Sequence, residues 1–103
     1  MTDITARRDR NRRPTHPGVL LEETVLPALG LPKAEIARLL GISRQSLYGI
    51  LSGEQPVTPT TAVKLGKLCG NGPMLWMNMQ TAYDLWAAER DVDVSAIPTL
   101  KSA

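Results

Sequence analysis

The sequence has little of what disulfide-stabilised, metal-binding and membrane-spanning proteins are built from. Its one cysteine, Cys69, excludes an internal disulfide and a cysteine-based metal cluster. Its one histidine, His16, excludes a histidine-rich metal site and, alone at a predicted helix start, is predicted to be structural. No apolar run approaches the roughly 20 residues of a membrane-spanning helix. We therefore predict a protein without a metal, a cofactor, a small-molecule ligand or a membrane span.

Sequence patterns of catalysis and of export are also missing. There is no glycine-rich phosphate loop, no pair of catalytic carboxylates and no nucleophile–base arrangement, so we predict that the protein is not an enzyme. The first 15 residues are polar and contain no signal peptide, so we expect a cytoplasmic protein. A chain of 103 residues with 43% hydrophobic content is long enough to bury one core.

Positive charge is concentrated at the amino terminus. Five of the 12 basic residues lie within residues 1–13, against two of the 10 acidic ones, so the rest of the chain is close to neutral. We predict a flexible, arginine-rich arm over residues 1–15, a folded domain over residues 16–90 and a C-terminal tail over residues 91–103. The arm either contacts phosphate or a partner protein, or it is a solvated leader.

Residues 36–53, IARLLGISRQSLYGILSG, predict two short helices joined by a tight turn. The turn falls at Gly41, and Ser43 is a good N-cap for the second helix. Because Leu47 and Ile50 lie on one apolar stripe of that helix, its opposite face carries polar residues. Hydrogen-bonding side chains at the amino-terminal end of a short helix are what a reader of the DNA major groove needs.

Gly49 falls at the centre of this predicted polar face, in the middle of the helix. A glycine there costs about 1 kcal/mol relative to alanine. Two interpretations follow: the helix backbone comes close to DNA at Gly49, or the glycine is a tolerated defect.

Start and stop signals predict three further helices, which makes the chain all-α. Pro17 suits the first position of a helix that ends or kinks at Pro27. Thr58 and Pro59 are strong signals for the start of another helix, which Gly70 stops.

The last predicted helix, about residues 73–89, is apolar around most of its circumference. Its apolar residues fall into two stripes: Leu75, Met79, Ala82 and Trp86 in one, and Trp76, Tyr83 and Ala87 in the other. One stripe can serve the core and the other a protein interface, or both can be core. The residues predicted for a dimer or partner interface are Trp76, Met79, Tyr83 and Trp86.

Several runs along the chain match one family pattern. They are HPG at 16–18, LGLPKAEIARLLGISRQSL at 29–47, SG at 52–53, TPTTAVKLGKLCG at 58–70 and WMNMQTAYDLW at 76–86. On these residues the chain closely resembles the HigA/VapI-type antitoxins of the lambda-repressor-like (XRE) helix-turn-helix family. The last run is the most specific, since it is similar to the WLNLQxxYDLW ending of that family.

The resemblance implies a five-helix lambda-repressor-like fold and a homodimer. It implies repression of the protein's own operon through double-stranded operator DNA, and a RelE-like mRNA-cleaving toxin as the partner that is neutralised. The DNA-contacting positions of the family fall here on Lys33, Ser43, Arg44, Gln45, Ser46, Tyr48 and Gly49. Two alternatives stay open: a stand-alone XRE-family transcriptional regulator without a toxin, and a protein-binding module that has lost DNA binding.

The chain departs from the family pattern at three places. Pro32-Lys33 stands where the family often has Ser-Gln, and Gly49 where it usually has a polar or charged residue. Glu54-Gln55 follows the second helix where Lys-Arg is common, which removes expected phosphate contacts and adds a charge that DNA repels.

Overall fold

The computed structural model describes residues 12–101, which form five helices and no strand. Helix α1 covers residues 17–29 and consists of Pro17–Leu20, a π-helical segment Leu21–Val25, and Leu26–Leu29. The remaining helices are α2 (Lys33–Leu40), α3 (Arg44–Ser52), α4 (Pro59–Cys69) and α5 (Pro73–Asp91). The predicted all-α, five-helix fold is confirmed.

Helix α1 continues through Pro27, where the sequence predicted an end or a kink. The backbone widens into π geometry just before the proline, and the Leu26 N–H donates to the Leu21 carbonyl, five residues earlier. A proline brings no N–H to the helix and its ring crowds the preceding turn. The wider turn makes room for that ring. The last helical residue is therefore Leu29, two residues after Pro27, and Gly30 forms the C-cap.

Helices α2 and α3 enclose the predicted tight turn. Gly41 has a φ of 71°, in the left-handed region that a side chain would strain. The Ile42 N–H donates to the Ala37 carbonyl, which satisfies one of the last carbonyls of α2. The Ser43 hydroxyl then accepts the Ser46 N–H at 3.0 Å and caps α3, as its sequence position predicted.

One apolar core lies between the helices. It is formed by Leu21, Leu26, Ile36, Ala37, Leu40, Leu47, Ile50, Val57, Ala62, Leu65 and Trp76. Trp76 has no exposed surface, and its indole N–H donates to Asn71 Oδ1 at 3.1 Å. The interface role predicted for Trp76 is therefore wrong: the ring fills the core, and its one polar group is satisfied inside the domain.

Helices α1 and α3 contact each other through their backbones. A Cβ on Gly18 would lie 1.9 Å from the Ile50 carbonyl oxygen, so this crossing requires glycine. Just before it, His16 Nδ1 accepts the Gly18 N–H at 2.9 Å and Pro17 occupies the first helical position. The HPG run thus fixes where α1 crosses α3.

Most of the arm predicted for residues 1–15 lies outside the described residues. Its last part lies against the domain, since Pro14 is buried and the Arg13 guanidinium is 5.5 Å from the centroid of the Tyr83 ring. At the other end, residues 92–101 are exposed.

Within residues 12–101, none of the helices combines the length and the apolar character needed to cross a membrane.

Candidate nucleic-acid interface

The amino-terminal half of α3 presents polar side chains to solvent. Ser43, Arg44 and Gln45 are exposed, as predicted. On the other side of the helix, Leu47 has no exposed surface and Ile50 is buried. Because the apolar side is held in the core, the guanidinium and the amide point outward with donors and acceptors that suit base edges.

Ser43 and Ser46 are engaged with each other as well as with the helix start. Besides accepting the Ser46 N–H, the Ser43 hydroxyl donates to Ser46 Oγ at 3.0 Å. Ser46 is half-buried. Any hydrogen bond from these hydroxyls to DNA therefore has to be compatible with the hydrogen bonds that cap α3.

Lys33 and Tyr48 lie together beside this face. The Lys33 Nζ is 5.9 Å from the centroid of the Tyr48 ring and 3.2 Å from Glu22 Oε1, and Tyr48 is 49% exposed. These partners account for a cation in the first turn of α2, where the helix dipole disfavours it. The structure thus brings Lys33 next to the predicted recognition helix. A phosphate that binds its ammonium has to compete with the Glu22 carboxylate.

Gly49 is buried, which corrects its predicted place on the open face. The side chain of Gln55 covers it, so that a Cβ on Gly49 would lie 2.7 Å from Gln55 Cδ. The Gln55 N–H also donates to the Gly49 carbonyl at 3.0 Å. The loop after α3 therefore folds back over the helix, and the Gln55 side chain occupies the space beside Gly49.

A hydrogen-bonded pair of Gln80 and Asp84 lies behind this loop, and the sequence did not predict it. Gln80 is 4% exposed; its Oε1 accepts the Val57 N–H at 2.7 Å, and its Nε2 donates to Asp84 Oδ1 at 2.9 Å. The available signal was a glutamine followed four residues later by an aspartate on an otherwise apolar helix. Gln80 thereby ties α5 to the end of the loop that follows α3.

His16, just before α1, contacts the same helix and the same loop. Its ring meets the Tyr83 ring edge-on, with centroids 5.0 Å apart, and hydrogen-bonds with the backbone of Gln55. Burial lowers the pKa of His16, against smaller upward effects of the Asp84 charge and of the Gln55 hydrogen bond. Because Nδ1 accepts the Gly18 N–H, the neutral imidazole carries its proton on Nε2.

Helix α5 has an inner side and an outer stripe. Tyr83 is half-buried against His16 and belongs to the inner side with Trp76. The outer stripe consists of Leu75, Met79, Ala82 and Trp86. Leu75 is 40% exposed, and the other three are half-buried. Of the two predicted stripes, the one headed by Trp76 reaches the core through Trp76 and contacts His16 through Tyr83, and the outer stripe keeps apolar surface at the protein's exterior.

A family model described as helix-turn-helix matches residues 23–76, more than half of the chain. The chain belongs to the helix-turn-helix family. This helix-turn-helix protein is 36% identical over 84 residues to the uncharacterised HTH-type transcriptional regulator YddM of Escherichia coli K12. The aligned region covers 82% of this chain and 88% of the relative. It is 33% identical over 79 residues to antitoxin HigA-1 of Vibrio cholerae serotype O1, which covers 77% and 74% of the two chains.

The helix-turn-helix protein also matches a solved structure of antitoxin GraA in complex with its operator. The TM-score is 0.75 at 30% sequence identity, and the match covers 94% of this chain and 98% of GraA. The resemblance to HigA-type antitoxins of the XRE family, which the sequence indicated, is confirmed by these relatives.

Proposed function

We propose that the protein is an antitoxin that binds operator DNA as a homodimer, represses its own operon and neutralises a RelE-like mRNA-cleaving toxin. The observation that carries the proposal is the outward polar face of α3, held by Leu47 and Ile50 on a fold shared with an antitoxin solved on its operator. The name of the relative HigA-1 supports the antitoxin role.

In the proposed mechanism α3 enters the major groove of one half-site. Gln45 pairs with an adenine edge or Arg44 with a guanine, each bidentate contact contributing roughly 1–3 kcal/mol of discrimination. Lys33, Ser43 and Arg44 position the helix on phosphates. Two-fold symmetry places the half-sites about 10 base pairs, or a multiple of that, apart.

The dimer interface is proposed to use the outer stripe of α5. Met79 and Trp86 of the predicted interface set lie on it and keep part of their surface exposed. Tyr83 remains a proposed neighbour of that interface through its half-buried ring, whereas Trp76 is removed from the set because it is fully buried.

Gln45→Ala tests the base-reading role. The substitution removes an exposed amide from α3 without disturbing the core, so we expect folding to be unchanged. The preference for operator over unrelated DNA should fall roughly five- to 150-fold. Electrophoretic mobility shifts on the operon's own upstream DNA and on a scrambled duplex measure this ratio. Unchanged selectivity shows that Gln45 reads no base, and wild-type protein without salt-sensitive, sequence-preferring binding overturns the repressor proposal.

The toxin is tested by co-purification with the product of the neighbouring gene. A complex that survives gel filtration and suppresses RNA cleavage by that product supports the antitoxin role. Operator binding without any such complex favours the alternative of a stand-alone regulator, which the name of the relative YddM supports.

A further inference from the structure

The loop that follows the recognition helix is held from two sides by residues distant in sequence. Gln80 on α5 accepts the Val57 N–H at 2.7 Å, and His16 before α1 hydrogen-bonds with the backbone of Gln55. The loop in turn covers the end of α3, since the Gln55 N–H donates to the Gly49 carbonyl at 3.0 Å. The position of α3 therefore depends on α5 through this loop.

We propose that Gln80 is a positioning residue for operator binding, which sets the place of α3 relative to α5 through Val57 without touching DNA. The inference rests on the proposed function, since it concerns the same DNA-binding face. It adds a residue on another helix that controls that face.

The geometry of Gln80 makes this role specific. Its side chain is buried and its two hydrogen bonds have different partners: Oε1 serves the loop and Nε2 is oriented by Asp84 at 2.9 Å. Asp84 thus fixes which way the amide of Gln80 faces, so that the acceptor points to Val57. Without that acceptor the Val57 N–H is a buried donor with no partner, and the loop must shift to satisfy it.

The same helix carries the outer stripe, which makes the distance between α3 and the dimer axis depend on Gln80. Met79 lies next to Gln80 in sequence and faces outward on the proposed interface. Since two-fold symmetry sets the spacing of the half-sites, a recognition helix displaced relative to α5 loses register with both halves of the operator.

Four variants test the proposal with the full chain and a duplex of the operon's own upstream DNA. Gln80→Met keeps the length of the side chain and removes both hydrogen bonds. Gln80→Glu keeps an acceptor for Val57, but it replaces the donor to Asp84 with a second carboxylate, so that the two like charges repel each other. The double variant Gln80→Glu with Asp84→Asn restores a donor–acceptor pair of reversed polarity, and Asp84→Asn alone keeps an acceptor for Gln80.

We expect Gln80→Met to weaken operator binding about tenfold, because the loop leaves its place when the Val57 N–H loses its acceptor, and α3 shifts with it. Gln80→Glu should weaken binding to a similar extent, because repulsion by the Asp84 carboxylate turns the new carboxylate away from its position. Asp84→Asn should bind like the wild type, and the double variant should recover most of the affinity that Gln80→Glu loses. Because affinities are compared only where every variant is folded, a side chain that serves stability alone would leave operator affinity unchanged in all four variants.

Leu68→Ala is the control, because Leu68 is a half-buried residue of α4 that packs against the core and takes no part in the hydrogen bond between Gln80 and Val57. All affinities are compared at a temperature where circular dichroism shows every variant folded. Full operator affinity of Gln80→Met, no rescue in the double variant, or an equal loss in Leu68→Ala each overturns the inference. Failure of the wild type to bind overturns the proposed function instead. If Gln80→Met does not fold, Gln80→Glu and its rescue decide the question.

Discussion

At the scale of single residues, the neighbours of His16 hold it in its neutral form. The Gly18 N–H points at Nδ1, so a second ring proton would face another donor. Around the ring lie Tyr83 edge-on, the Asp84 charge, the backbone of Gln55 and, beyond Tyr83, the Arg13 guanidinium. Burial outweighs the attraction of Asp84 and lowers the pKa of His16 below its ordinary value of 6.5.

This protonation state makes the free energy of unfolding depend on pH. Below the ordinary value of 6.5 the unfolded chain takes up a proton at His16, whereas the folded protein, with its lowered pKa, does not. The stabilising contribution is therefore complete above that value and is lost as the pH falls through the folded pKa. One proton limits the slope to about 1.4 kcal/mol per pH unit. Urea unfolding between about pH 7.5 and about pH 5.5 measures it.

His16→Asn is the matched control, because asparagine caps a helix well and does not titrate. Its unfolding free energy should change much less over the same range. His16 is the one histidine of the sequence, and the pKa values of Glu35 and Asp93 are lowered by hydrogen bonds, from Arg38 and from Ser95, so these carboxylates stay ionised there. Parallel profiles for the two proteins would contradict the assignment to His16.

At the scale of elements, the loop that follows α3 packs directly on the helix at Gly49. In the middle of a helix, Gly49→Ala gains about 1 kcal/mol of helix propensity. Here the new methyl displaces the Gln55 side chain, whose Cδ lies 2.7 Å from the position of the Cβ. We therefore expect Gly49→Ala alone to change the free energy of unfolding by less than about 0.5 kcal/mol, since the two effects offset each other.

The same substitution in a Gln55→Ala background should stabilise the protein by nearly the full propensity difference of about 1 kcal/mol. Chemical denaturation of both single variants and of the double variant gives the coupling free energy between positions 49 and 55. A coupling near zero would show that Gln55 does not limit the space at Gly49.

The elements also show how far the sequence determines this fold. The starts of α3 and α4 were predictable because Ser43 and Thr58 act locally, each accepting an N–H three residues ahead. The burial of Gly49 and the core position of Trp76 were not, because each depends on another segment brought in by the fold. Likewise, the exposed polar face of α3 followed from its periodicity, whereas Gln80 became part of the site only through its contact with Val57, 23 residues away.

At the scale of the whole molecule, positive charge is distributed unevenly along the sequence. Five of the 12 basic residues lie within residues 1–13, and the rest of the sequence is close to neutral. The domain also exposes the carboxylate of Glu54 beside the end of α3. Apart from the arginine-rich arm, one such domain has few cations that can bind phosphate, so the proposed operator binding gains much of its affinity from two recognition helices that bind together. The dimer is therefore central to the proposed activity.

Met79→Asp tests the dimer through the outer stripe. An unpaired carboxylate buried in the interface costs about 3 kcal/mol or more, so we expect the dimer dissociation constant to rise by at least about 100-fold. Because Met79 is half-buried on the outer stripe and is not part of the core, the monomer should stay folded. Sedimentation velocity measures the oligomeric state, circular dichroism the folding, and mobility shift the accompanying loss of operator binding.

Two substitutions of the same chemical kind separate this effect from others. Val63→Asp places a carboxylate on α4, where Val63 is 60% exposed and outside the proposed interface, so this variant should remain dimeric. Tyr83→Asp places it on the inner side of α5 against His16, so it should lower the melting temperature. A Met79→Asp protein that sediments as a dimer would place the two-fold axis away from the outer stripe, and the half-site spacing would then be set by another surface of the domain.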